Sequence, residues 1–254
     1  MNLDRRLSVA LDSYAASLRE ALARAAGDGF SGVQLDAKQP DLDVSDFGRS
    51  AQRHLRAHVE TLGVRLDGLM LLWPDAGLAD DRRGGERVVA LRQTLELARA
   101  LGIGTVSASI GAGGAELGCA GHEVLEIAAD LADRTGVRVA LTPTAGLASA
   151  VAAELRSLAC PQLALGFDAA IELEAIRAGE TAIGAVYLRD VRRSAAGLEE
   201  VPLGRGQVDF SALAAAVEGA EYHGPLTLRQ RPQTDPVDGP RRARETLRSL
   251  LAGR

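Results

Sequence analysis

Aromatic residues are scarce in this chain, at 3% of 254. With so few large rings, Ala, Leu and Val must fill the core, a palette suited to strands buried on both faces. Cysteine is also rare. Cys119 and Cys160 are the only two; they exclude a disulfide framework, offer no zinc-ligand spacing, and are expected to be idle or buried thiols. No apolar run is long enough to cross a membrane. The N-terminal stretch MNLDRRLSVALDSYA carries charge throughout rather than the apolar centre of a signal peptide. A cytoplasmic location with no membrane partner is therefore expected. Basic residues are not in excess: 29 against 34 acidic ones leave a net charge of −5, which gives no footprint for nucleic acid. No G-x-G-x-x-G follows the first apolar run, against a dinucleotide fold. No Ser-His-Asp set or Cys-His pair stands out.

What is present is alternation. Hydrophobic residues make up 46% of the chain, enough for a large core. Eight short apolar runs read as strands, at 6–12, 32–37, 64–72, 105–111, 138–144, 163–169, 185–191 and 225–231. A helical pattern follows each. Several end in Gly, the residue that tolerates the left-handed position after a helix: Gly27 and Gly29 after the first, Gly63 after the second. Strands alternating with helices imply parallel strands joined by crossovers. An open doubly wound sheet would accept the same pattern, but the count of eight, the length and the lack of a linker favour one closed (β/α)8 TIM barrel spanning 1–254. In such a barrel the chemistry sits where strands end and helices begin. The residues to weigh are then Asp12, Asp36, Trp73, the 111–114 loop, Thr142, Thr144, Asp168, the stretch 187–190 and the stretch 229–231.

Two segments carry a specific resemblance. GFSGVQLDAKQPDLDVSDFGRSAQRHLRAHVETLGVRLDGL (29–69) is similar to the second strand, helix and third strand of sugar phosphate isomerase/epimerase-like proteins, the xylose isomerase-like group. YLRDVRRSAAGLEEVPLGRGQVDFSALAAAVEGAEYHGPLTL (187–228) resembles that family's last stretch, and the VPLGRGQVDF element (201–210) is its most specific part. The resemblance implies a TIM barrel related to xylose isomerases, ketose 3-epimerases and endonuclease IV. It also implies a site for divalent Mn, Mg, Co or Zn built from a Glu, an Asp, a His and a Glu after strands five to eight. Such an ion polarises a sugar carbonyl and stabilises the enediolate formed on proton abstraction.

Three of those four positions depart from the pattern. The first Glu falls on Thr142, the Asp is kept as Asp168, the His falls on Tyr187 and the last Glu on Arg229. One carboxylate beside a guanidinium does not hold a divalent ion, so no metal and no other cofactor is expected. The two lost Glu residues are also the family's acid/base pair. Arg229 is expected to take the metal's place and pair with Asp168, with Tyr187 donating a hydrogen bond, Asp168 orienting substrate and Arg229 stabilising an oxyanion. Arg189, Arg192, Arg193, Arg205, Arg229 and Arg231 give the last two strands a local basic bias. With backbone N–H groups at Gly204 and Gly206, this suggests an anionic ligand such as a sugar phosphate or sugar acid. Asp190, Arg192 and Arg205 join Trp73 and Thr142 as expected substrate-binding residues, while strand alternation sends Arg189 and Arg231 outward.

Other residues are weighed on both readings. His54 and His58 have an i, i+4 metal spacing but lie in an outer helix as surface histidines. His122 opens a helix near the mouth and, with Glu116 or Glu123, is either an acid/base group or a solvated helix start. Trp73 and Pro74 form either an apolar wall for a sugar ring or a cap on the core. The leading function is an isomerase/epimerase-family barrel binding or converting a small carbohydrate. Its rival is a non-catalytic barrel with a binding or regulatory role; an endonuclease IV-like nuclease fits poorly. A homo-oligomer is compatible with either.

Overall fold

A computed structural model describes residues 3–111, 117–144, 146–168, 182–194, 197–235 and 238–251. Eight parallel strands close into a barrel: β1 (Leu7–Ala10), β2 (Gly32–Asp36), β3 (Arg65–Leu71), β4 (Thr105–Ile110), β5 (Arg138–Pro143), β6 (Leu163–Asp168), β7 (Ile183–Leu188) and β10 (Leu226–Leu228). The last strand lies between β7 and β1, with Leu7 opposite Leu226 and Thr227 opposite Tyr187. Helices α1 (Leu3–Arg6), α2 (Leu18–Gly27), α3 (Arg49–Leu62), α4 (Gly84–Leu101), α5 (Cys119–Thr135), α6 (Ala148–Leu158), α7 (Phe210–Gly219) and α8 (Gly239–Leu251) are the ones described. This is the expected single (β/α)8 barrel. The helix expected near 170–179 and the acidic residue Glu116 lie outside the described residues.

Local chemistry sets the helix ends. Ser17 caps α2 with a reciprocal box: Glu20 N donates to its hydroxyl, and its own N–H donates to the Glu20 carboxylate. Asp209 caps α7 by accepting from Ala212 N at 2.9 Å. Gly63, Gly102 and Gly136 follow α3, α4 and α5 in the left-handed conformation. These caps turn the chain sharply from each helix back into the next strand.

Most of the core lies between barrel and helices, where Leu, Val and Ala from strands meet the apolar stripes of the helices. A smaller cluster of Ala10, Met70, Leu72, Ala140, Ala185 and Tyr187 fills the barrel itself. Tyr187 is 2% exposed, and its hydroxyl donates to Gln34 Oε1 at 2.9 Å. Scarcity of aromatics thus leaves one phenol ring, flanked by small residues, to fill the centre.

Beyond β7 the chain forms an antiparallel hairpin that the alternating pattern did not foretell: β8 (Asp190–Ser194) with β9 (Gly197–Val201), Asp190 opposite Val201. Asp190 organises the loop that follows. Its carboxylate accepts from four backbone N–H groups: Val191 at 3.0 Å, Gly204 at 2.9 Å, Gly206 at 2.8 Å and Val208 at 3.1 Å. A Cβ at Gly206 would come within 2.1 Å of Asp190 Oδ1, so only glycine lets the loop approach so closely. The VPLGRGQVDF segment is therefore a loop wrapped round a buried carboxylate.

Candidate functional site

A cavity of about 380 Å³ opens at the C-terminal ends of the strands. Its polar wall holds four cations, Lys38, Arg189, Arg229 and Arg231, and three carboxylates, Asp12, Asp168 and Glu200. Trp73, Pro74, Pro143 and Pro232 supply an apolar side. Strand ends bring these residues together: Asp12 follows β1, Lys38 follows β2, Trp73 follows β3, Thr142 is the penultimate residue of β5, Asp168 ends β6, Arg189 follows β7 and Arg229 follows β10.

Each carboxylate meets a guanidinium, though not in the expected arrangement. Arg229 was expected to pair with Asp168; its Nε and Nη2 instead lie 2.9 and 2.8 Å from Asp12 Oδ2. Burial works against its charge, but Asp12 next to it more than offsets this and holds the guanidinium protonated. Asp168 is taken by Arg189, whose Nε lies 2.5 Å from Oδ2. Arg189 was expected to point outward. The strand ends at Leu188, so alternation no longer governs it, and the side chain folds over the mouth. Its Nη1 also reaches Glu200 at 3.5 Å. Glu200 accepts from Arg231 N at 2.5 Å and Thr234 Oγ1 at 3.1 Å. Arg231 also lines the cavity, with its side chain 74% exposed.

Other expected residues separate into those at the cavity and those away from it. Trp73 lines it. Arg87 stacks 4.9 Å from the indole ring and is itself fixed by Asp75 at 2.7 Å, so the ring is a stiff wall. Thr142 lines it too; its Oγ1 and Asp12 Oδ1 are buried with no hydrogen-bond partner among the described residues.

Tyr187 sits inside the barrel, with its hydroxyl committed to Gln34; burial pushes the phenol well above its usual range. The expectation that it donates to substrate is corrected. Asp190 is also corrected from substrate binding, because its carboxylate is fully used by the loop N–H groups. For the same reason Gly204 and Gly206 do not offer an anion cradle. Arg192 is exposed on the hairpin, where its Nη2 bonds the carbonyl of Arg205, and Arg205 is exposed too. Neither lines the cavity. His122 is half exposed on α5, pairs with Glu154 of α6 at 3.1 Å and does not line the cavity. Among the described residues no cluster of three or more His, Cys, Asp or Glu is placed to hold a metal ion.

Two cavity residues escaped sequence reasoning. Glu200 carries no signal in GLEEV, because only the hairpin decides that Glu199 faces out and Glu200 in. Lys38 did carry one: it is the chain's sole lysine, against 28 arginines. Its Nζ donates to the carbonyl of Leu72, and its backbone N donates to Asp36 Oδ1 at 3.0 Å. Burial pushes the Asp36 carboxyl up, against the pull of Lys38.

A closed parallel barrel with a charged cavity at the C-terminal ends of its strands has the architecture and site placement of the α/β barrel enzymes and their relatives. The chain belongs to the xylose isomerase-like TIM barrel family, whose model matches residues 21–252. A xylose isomerase domain protein from Planctomyces limnophilus superposes with a TM-score of 0.81 at 20% identity, covering 98% of this chain and 96% of that one. The 3-keto-D-glucoside 4-epimerase of E. coli gives 0.76 at 16% identity, over 97% and 99% of the two chains. D-allulose 3-epimerase from Methylomonas sp. gives 0.72 at 17% identity, over 97% of each. At these identities the likeness is one of fold. No curated protein matches the chain. No helix among the described residues is long and apolar enough to cross a membrane.

Proposed function

We propose that the barrel mouth binds a small anionic carbohydrate, a sugar phosphate or a sugar acid, and does so without a divalent metal. One observation carries this: four cationic side chains face three carboxylates round a cavity of about 380 Å³, and every one of those carboxylates is engaged by a guanidinium. The net positive charge favours an anion, and the volume lies within the usual span for small-molecule sites, roughly 300–1,000 Å³. Trp73 and the three prolines suit the apolar face of a sugar ring. Asp12 Oδ1, left without a partner, suits a sugar hydroxyl. The carbohydrate names of the two epimerases of like fold support the same ligand class.

The family's metal does not fit this donor set. Its four ligand positions carry a threonine hydroxyl at Thr142, a carboxylate held by Arg189 at Asp168, an interior phenol at Tyr187 and a guanidinium at Arg229. Hard divalent ions need several free oxygen or imidazole donors. Thr142 and Arg229 also replace the two glutamates that would move protons. The family's base-catalysed step is therefore not carried over, and the site is read as a binding site in which Arg229 and Arg189 hold the anion.

Isothermal titration of the EDTA-treated protein with ribose 5-phosphate, gluconate and ribose tests this. The two anions should bind at least about tenfold more tightly than ribose, ~1.4 kcal/mol, and R229A should lose that advantage. Equal affinities, or binding restored only by Mn²⁺ or Co²⁺, would overturn the proposal.

A further inference from the structure

Wherever this chain needs a positive charge it uses arginine, with one exception. Lys38 is the sole lysine beside 28 arginines, and it stands in the wall of the mouth cavity. A guanidinium serves charge, bidentate pairing and stacking at least as well as an ammonium. What it does not do is release a proton near neutral pH and attack a carbonyl carbon. A lone amine in the cavity wall of a chain that elsewhere uses arginine is suited to chemistry that only an amine performs.

We infer that Lys38 Nζ forms an imine with the open-chain carbonyl of the small anionic sugar that the cavity binds. The inference rests on the anionic-carbohydrate reading above and adds a covalent step to it. Three placements support it. The ammonium is moored to the Leu72 carbonyl at the end of β3, beside the Trp73 wall, so it is held at the cavity rather than trailing into solvent. Among the described residues no carboxylate forms an ion pair with Lys38, whereas Arg189, Arg229 and Arg231 each have one. The Asp36 carboxyl accepts from the Lys38 backbone N–H at 3.0 Å and so fixes the main chain that carries the amine.

The step balances without any redox partner. The Lys38 ammonium first gives one proton to solvent; the resulting amine adds its lone pair to the carbonyl carbon, the C–N bond forms as the C=O π bond breaks, and a nitrogen proton passes to the oxygen to give a carbinolamine. Loss of that hydroxyl with one further proton, as water, leaves the protonated imine. The proton that the departing hydroxyl needs comes from solvent at the open mouth. A protonated imine draws electrons from the neighbouring carbon, as a metal ion does from the carbonyl it polarises in the metal-dependent barrels. The guanidinium of Arg229 at one of the family's metal-ligand positions and the single amine at Lys38 thus have a common explanation.

A chain with a single lysine gives a clean test, because the only other primary amine is the terminal one. The full protein is incubated with glyceraldehyde 3-phosphate and cyanoborohydride, then peptide-mapped by mass spectrometry. Ribose 5-phosphate binding to the same sample is measured in parallel by titration. The expected result is a reduced adduct on Lys38 that saturates with aldehyde concentration. It should form at least about tenfold faster than on Nα-acetyl-lysine at the same pH, be slowed by ribose 5-phosphate, and be absent from K38R with an unchanged circular dichroism spectrum. No adduct, or unsaturable labelling at the free-lysine rate, in protein that binds ribose 5-phosphate would overturn the imine and leave the anion site standing. Failure of ribose 5-phosphate to bind, together with no adduct, would overturn both.

Discussion

Arg229 Nη2 lies 2.8 Å from Asp12 Oδ2, and the two residues follow the last and first strands of the barrel, which pair with each other. The contact therefore spans the seam at which the barrel closes. Gln230 N donates to Ser13 Oγ at 3.1 Å alongside it. With side-chain exposures of 34% and 25%, solvent screening keeps the pair below the value of a fully buried one. R229A is expected to destabilise the fold by roughly 1–3 kcal/mol, measured by urea denaturation. A double-mutant cycle with D12N should recover about 1 kcal/mol of coupling.

Asp190 serves the fold rather than the ligand, and its substitution separates the two. D190A leaves four backbone donors without their acceptor and should cost about 3–5 kcal/mol. It should also expose the 202–208 loop to limited proteolysis. D190N keeps one acceptor oxygen and should fall between the two proteins in thermal midpoint. A D190A protein as stable as the parent would mean that the loop holds itself.

Glu200 competes with any bound anion for Arg189 and Arg231. E200Q keeps an acceptor for Arg231 N and Thr234 Oγ1 but removes the charge. Ribose 5-phosphate should bind about threefold more tightly to E200Q, ~0.7 kcal/mol. The gain should shrink as salt rises from 0.05 to 0.5 M, on the order of the screening expected for a half-open cavity. Weaker binding would place Glu200 among the ligand's partners.

Burial raises the Asp36 carboxyl above its ordinary 3.8. The folded state then holds its proton to higher pH than the unfolded chain does, so this group favours folding at low pH and the contribution is lost as pH rises through the folded value. D36N removes the cost of burying the charge while leaving an acceptor for Lys38 N. It should raise the thermal midpoint at pH 7 and leave it unchanged near pH 3. An equal shift at both pH values would point to packing rather than ionisation.

The barrel was legible because its signals are periodic: apolar runs of strand length, helices closed by Gly63, Gly102 and Gly136, and the family resemblance at both ends. The ion pairs were not. Which carboxylate Arg229 meets depends on the seam between β1 and β10, a relation between residues 217 positions apart that no local pattern encodes. Arg189 was misplaced because alternation was extended one residue past the end of its strand. Asp190 and its glycines resemble an anion site in sequence for a sound reason: the same backbone geometry binds any carboxylate, including one from the chain itself. Lys38 needed only a count of lysines, taken together with its position after a strand.

By supplying the anion for its own loop, Asp190 leaves recognition in the proposed binding site to long side chains. A fixed backbone nest would tie the mouth to one phosphate position through the geometry of the main chain. Arg189, Arg229 and Arg231 are instead held by side-chain carboxylates, and among the described residues none of them bonds the Asp190 loop beneath. Selectivity at this mouth should therefore drift quickly among related sequences while the scaffold stays the same, and small acids of different length become interchangeable problems for one barrel.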